Sequence, residues 1–136
     1  MTTDEVKAIL EEVRCSYRRY LLAREKAASF RDGFLSPPVF SDMPHSSSRA
    51  NGTENRLISL AGCDEEAAQC LERYLEARKA AERMIEYLTN PDEKEVLTRR
   101  YILFEKWSKA AKNMCFSEGY VHRLHNSAIQ KLVSKC

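Results

Sequence analysis

The feature that most limits what this chain can fold into is a single apolar stripe near its start. Val6, Ile9, Leu10, Val13, Tyr17, Tyr20 and Leu21 recur at the spacing of one face of an α-helix. The stripe predicts a helix over about 4–28, with Thr3 or Asp4 as its cap and acidic residues in the first turn, where they suit the positive end of the dipole. A second pattern of the same kind runs from Asn55 or Asp64 to Leu88. Its stripe is Ala67, Leu71, Leu75 (with Tyr74), Arg78, Ala81, Met84 or Ile85, and Leu88. Two long helices with one apolar face each cannot bury those faces alone. They are expected to pack as an antiparallel hairpin, or against a second copy of the chain in a homodimer.

Between the two patterns, residues 29–56 hold Pro37, Pro38, Pro44, Gly33, Gly52 and the run His45-Ser46-Ser47-Ser48. Proline cannot continue a helix, and the stretch has few core-formers. It predicts a mobile linker, least ordered around 41–54, with Phe30, Phe34, Leu35, Val39 and Phe40 pinning its first half. Gly62 marks an expected break between an early turn at Leu57–Leu60 and the second helix. The whole chain of 136 residues has only four glycines and four prolines, too few turn-formers for many short strands, so the fold class is all-α. No stretch approaches the ~18 apolar residues that a membrane span needs. The start, Met1-Thr2-Thr3-Asp4-Glu5, lacks the basic-then-apolar layout of an export signal. With an odd count of five cysteines and no C-x-x-C pair, free thiols in a reducing cytoplasm are expected.

Thr89-Asn90-Pro91-Asp92 ends the second helix and starts a third, with Thr89 or Asn90 as cap and Pro91 at the first helical position. The boundary divides the chain into a hairpin region, 1–90, and a C-terminal domain, 91–136. Val96, Leu97, Tyr101 and Leu103 or Phe104 form the apolar face of that third helix. A short helix comes next at Trp107–Met114, then a turn, Cys115-Phe116-Ser117, and a final helix from Glu118 to about Val133. Charge is unevenly shared. Residues 64–95 carry five basic and ten acidic side chains, whereas 96–136 carry eight basic and two acidic, a local charge of +6. A basic end favours a polyanionic partner.

In the final helix Val121, Leu124, Ala128 and Leu132 share one face at about 100° per residue. Ala110 and Ala111 in the helix before it are small enough for a close, steep crossing, as a helix-turn-helix requires. Gly119, His122, Arg123, Asn126 and Gln130 lie opposite the apolar face. Donors and acceptors without apolar bulk are what a helix needs to read base edges in the major groove. Ser117 is placed to cap this helix.

Residues 91–132 resemble region four of sigma factors. The likeness rests on Pro91-Asp92-Glu93-Lys94-Glu95-Val96-Leu97-Thr98-Arg99-Arg100-Tyr101, on Trp107-Ser108-Lys109-Ala110-Ala111-Lys112-Asn113-Met114, and on Ser117 through His125 with Ala128-Ile129-Gln130-Lys131-Leu132. More closely, they look like the small phage-encoded sigma-like proteins related to ArpU-type late transcription regulators. The order of helix, linker with Met43-Pro44, helix and sigma-like module resembles those proteins over nearly the whole chain. This chain departs from the pattern at Ala110, commonly isoleucine in the family, and at Cys115, commonly glycine. Thinner packing is expected at the first, and at the second a turn that either avoids a left-handed conformation or strains to adopt it. Ser108, Lys109 and Lys112 stand where acidic residues are usual, which makes the first short helix more basic. The resemblance implies binding of double-stranded DNA and transcriptional control within the nucleoid of a bacterial host.

On this reading Gly119, His122, Arg123 and Asn126 face bases, while Arg99, Arg100, Lys106, Lys109, Lys112 and Ser117 meet phosphates. The alternative is an interaction adaptor that binds RNA polymerase or phage packaging machinery. His122 and His125, three apart, lack further ligands, so no metal and no cofactor is expected. No H-E-x-x-H, phosphate loop or G-x-S-x-G occurs, and Cys115 and His122 lack a third orienting group, so the sequence does not read as an enzyme.

Overall fold

The computed structural model describes residues 1–35 and 49–135, and the described residues form helices joined by turns, with no strand. Helix α1 spans Thr3–Leu35 and α2 spans Arg49–Glu86. Their ion pairs and ring contacts run in opposite order: Arg31 with Asp64, Lys26 with Glu66, Tyr17 with Tyr74. The pair is therefore an antiparallel hairpin. The cap of α1 is Thr2 rather than Thr3 or Asp4. Thr2 Oγ1 accepts from Glu5 N at 3.3 Å, and Glu5 Oε2 accepts from Thr2 N at 2.7 Å, a reciprocal capping box.

Both long helices outrun their expected ends. Residues 29–35 and 49–56, which composition places in a linker, are helical, and Gly62 lies inside α2 without a break. A helix already propagating tolerates glycine at about 1 kcal/mol each relative to alanine, whereas proline stops it. Pro37, Pro38 and Pro44 lie in 36–48, outside the described residues, as does most of the segment expected to be least ordered.

Three shorter helices complete the chain: α3 (Pro91–Leu97), α4 (Trp107–Met114) and α5 (Glu118–Lys135). Asn90 Oδ1 accepts from Asp92 N at 3.0 Å and Pro91 takes the first helical position, as the sequence predicts. Between α3 and α4 the backbone widens into a π-helical turn, Thr98–Ile102. One wide turn shifts the register of the residues after it. Ile102 enters the core, and of the two residues expected on the apolar face Phe104 packs against the core while Leu103 is exposed. Phe104 then adopts a left-handed backbone, φ 58°, unusual for a bulky residue, and its ring stacks on Tyr17 of α1 at 5.0 Å.

The core is continuous across residue 90. Val6, Leu10 and Val13 of α1 and Ala81, Met84, Ile85 and Leu88 of α2 share one cluster with Leu97, Tyr101, Ile102, Ala128, Ile129 and Leu132. The N-terminal half of the α1 stripe is thus covered within one chain. A smaller cluster, Val96, Ala111, Met114, Val121 and Leu124 with Trp107 against it, holds α3, α4 and α5 together. In α2 the inward residue is Tyr74, and Leu75 turns outward. At the far end, Arg31 Nη2 donates to both carboxylate oxygens of Asp64 (2.9 and 3.0 Å), an exposed contact that contributes ~0–1 kcal/mol. Among the described residues no helix is long and apolar enough to cross a membrane, and Cys15, Cys63, Cys70 and Cys115 are free thiols.

Candidate nucleic-acid interface

The link between α4 and α5 explains how α5 is aimed. Helix α4 ends in a Schellman motif: Phe116 N donates to Ala111 O at 3.1 Å and Cys115 N donates to Lys112 O at 3.3 Å. The motif needs a left-handed residue, and Cys115 supplies it at φ 59°, ψ 32°. Of the two outcomes open to this turn, the chain takes the strained one. A left-handed backbone costs an L-residue ~1–2 kcal/mol, offset in part by the extra chain entropy glycine loses. Cys115 is exposed, so its side chain returns little. Cys115→Gly is expected to raise stability by ~0.5–1 kcal/mol, read as a higher urea midpoint; a lower midpoint would mean the thiol is packed.

Ser117 then caps α5, its Oγ accepting from Tyr120 N at 3.3 Å. Ala110 and Ala111 are buried under it, 1% and 5% exposed. Val121, Leu124, Ala128 and Leu132 all face inward, joined by Ile129 and His125. That leaves Gly119, His122, Arg123 and Asn126 exposed together on one side of the N-terminal half of α5. A Cβ built on Gly119 would meet nothing within 4 Å, so nothing among the described residues requires glycine there.

The expected phosphate contacts divide into two groups. Lys106, Lys109 and Lys112 on α4 and its N-cap are exposed, and among the described residues no ion pair or hydrogen bond holds their ammonium groups. Arg99 and Arg100 are engaged elsewhere. Arg99 Nε donates to Glu95 at 2.8 Å and Nη1 approaches Glu105 at 3.4 Å. Arg100 donates to Glu105 O at 3.1 Å while its guanidinium covers the Trp107 ring at 4.8 Å. Both arginines fasten the α3–α4 corner, and the structure does not bring them to the free lysines as a matching set.

His122 is exposed, but its ring rests on Trp107 at 4.3 Å, which orients it. His125, its partner in the weak metal pattern of the sequence, is buried with Nε2 2.8 Å from Tyr101 Oη. No group of three potential ligands occurs among the described residues. Burial pushes the Tyr101 phenol up to about 12, with Glu11 adding to it, so the hydroxyl keeps its proton. Burial pulls His125 below its ordinary 6.5, against a hydrogen bond to the Asn126 side chain, which favours the protonated ring and raises it. The unfolded chain therefore takes up a proton before the folded one does as pH falls. Stability is held above pH 6.5 and is expected to drop below it, by at most ~1.4 kcal/mol per pH unit for one group. His125→Phe should flatten the slope of urea-derived stability against pH in this window, and an unchanged slope would assign it to another group.

Two features lie outside the site residues read from the sequence. Glu93 is 2% exposed, its Oε1 accepting from Ser127 Oγ at 2.8 Å and Lys131 Nζ at 2.7 Å. It stands three and four residues before Val96 and Leu97, on the buried face, and that was the available signal. Phe116 and Tyr120 form an exposed pair at the start of α5, edge to face at 4.9 Å. Their i, i+4 spacing was the only mark of it. No protein-family model, curated protein or solved structure matches this chain.

Proposed function

We propose that the chain is a sequence-specific duplex-DNA-binding protein, a phage or prophage transcription regulator that acts on the nucleoid of a bacterial host. On this reading α4, the turn and α5 work as a helix-turn-helix related to sigma region four. The observation that carries it is the two-sidedness of α5. Val121, Leu124 and Ala128 are buried, and Gly119, His122, Arg123 and Asn126 are exposed on the other side; Lys106, Lys109 and Lys112 of the preceding helix and its cap are exposed too, without partners among the described residues. The buried side fixes the helix; the exposed side offers donors and acceptors for base edges, and the lysines supply attraction that needs no sequence match. The open space at Gly119 fits close approach of the helix to a duplex. The hydroxyl of Ser117, although it caps α5, keeps its proton to donate to a phosphate. Two copies would present two such helices to a twofold site about one DNA turn apart.

An adaptor role, with RNA polymerase or packaging machinery as partner, draws support from Leu22, Phe30, Ile58 and Leu75, which are exposed on the hairpin. The experiment that separates the two begins with a duplex site recovered by genome-wide footprinting of the tagged protein. Arg123→Ala is expected to cost ~1–3 kcal/mol on that site and to relax base preference. Lys109→Ala should weaken all duplexes alike and make the salt slope shallower by about one. An Arg123→Ala protein that folds and binds with unchanged affinity and preference would remove α5 as the reader and put the adaptor first.

A further inference from the structure

We propose that the exposed rings of Phe116 and Tyr120 read thymine, by packing on its 5-methyl group in the major groove. The inference rests on the DNA-binding reading above and adds the base selected at one end of the interface. Neither ring belongs to either buried cluster, and they are 37% and 41% exposed. Their positions are nevertheless fixed. Phe116 N is tied to Ala111 O by the Schellman motif, Tyr120 N is tied to Ser117 Oγ by the cap, and the rings pack on each other with their planes 75° apart. The result is a pre-set apolar corner at the end of α5 that the proposed reading mode inserts into the groove.

Chemistry and charge together select the occupant. His122, Arg123 and Asn126 can hydrogen-bond to base edges, but the thymine methyl offers no hydrogen bond and is read by apolar contact alone. Phe116 and Tyr120 are the apolar surface continuous with those side chains, Tyr120 standing one turn before Arg123. The ring pair is flanked in sequence by Lys112 and Arg123, with Glu118 as the one acidic residue between them. That balance favours a nucleic acid over an acid-poor protein surface.

The test uses the full-length chain and a duplex selected by it from a random pool. Each thymine is replaced in turn by deoxyuridine, which removes the methyl and keeps base pairing. For the wild type, one such replacement at the edge of the site is expected to weaken binding about fourfold, the worth of one apolar carbon at ~0.8 kcal/mol. Phe116→Ser with Tyr120→Ser should bind the thymine and deoxyuridine duplexes equally, with an unchanged urea midpoint, and Phe116→Ser alone should lose part of the discrimination. If no single replacement affects the wild type, or if the doubly substituted protein still discriminates, the proposal is wrong. Tighter binding to a single strand, or rings whose removal leaves DNA binding unchanged, would assign the pair to base stacking or to a protein partner and equally overturn it. Loss of all selective duplex binding in the wild type would instead bring down the DNA-binding reading itself. If the doubly substituted protein misfolds, a wild type indifferent to every replacement still overturns the proposal, and Phe116→Ser alone assigns the methyl contact to the rings or away from them.

Discussion

Leu10→Ala is expected to lower the stability of the chain by ~2–5 kcal/mol and to shift the unfolding of the C-terminal helices as far as that of the hairpin. Leu10 sits in α1, far in sequence from α5, yet it is fully buried in the cluster that holds Leu97, Tyr101, Ile102, Ala128, Ile129 and Leu132. Removing three carbons there forfeits transfer free energy and leaves a cavity whose walls belong to both regions. Trp107 is the only tryptophan, and it packs on the α3–α5 cluster, so its fluorescence follows the C-terminal helices. The far-ultraviolet circular dichroism is dominated by α1 and α2, with 33 and 38 residues. Coincident midpoints from the two signals, both moved by Leu10→Ala, are the expected result for one cooperative unit. A tryptophan midpoint that stays in place while the dichroism midpoint falls would show that the module folds without the hairpin. The Phe104 ring stacked on Tyr17 is a second tie between the two, and it holds a left-handed residue that would otherwise relax.

Much of this arrangement is legible in the chain, and the reasons are local. The buried side of α5 comes from Val121, Leu124, Ala128 and Leu132, because a helix with no insertion keeps its period. The start of α3 comes from Asn90 and Pro91, since capping chemistry is read within four residues. The illegible part depends on register and on partners distant in sequence. The π-helical turn at Thr98–Ile102 leaves no compositional mark, yet it brings Ile102 into the core and decides between Leu103, which turns outward, and Phe104, which packs inward. The extension of α2 back to Arg49 is hidden by Gly52 and Gly62, whose cost of about 1 kcal/mol each reads as a break in a propensity argument but not in a long helix. Charge counting treats Arg99 like Lys109. One is held between Glu95 and Glu105 and the other has no partner among the described residues, and only the i, i+4 relation to Glu95 hints at the difference.

Lys131→Ala is expected to cost more than the exposure of Lys131 suggests, ~3–5 kcal/mol, and more than Glu93→Gln. The pair is asymmetric. The Lys131 side chain is 45% exposed, whereas that of Glu93 is 2% exposed. Glu93 Oε1 takes bonds from Ser127 and Lys131, and Oε2 is buried with no partner among the described residues. Removing the lysine strands a carboxylate inside the protein with one hydroxyl donor, and the cost is that of an uncompensated buried charge. Removing the charge from Glu93 instead leaves an amide oxygen for Ser127 and releases Lys131 to water, at ~1–2 kcal/mol for the weakened bonds. The order of the two effects is the reverse of the one that burial alone predicts. With Glu93→Gln already in place, adding Lys131→Ala should cost little further, so the two changes are strongly non-additive. Because Glu93 belongs to α3 and its partners to α5, the loss should appear in Trp107 fluorescence as a urea midpoint lowered for Lys131→Ala and raised again, to that of Glu93→Gln, in the double variant. If Glu93→Gln is the more damaging of the two single changes, the carboxylate is supported by something other than the lysine, and the charge-stranding argument fails.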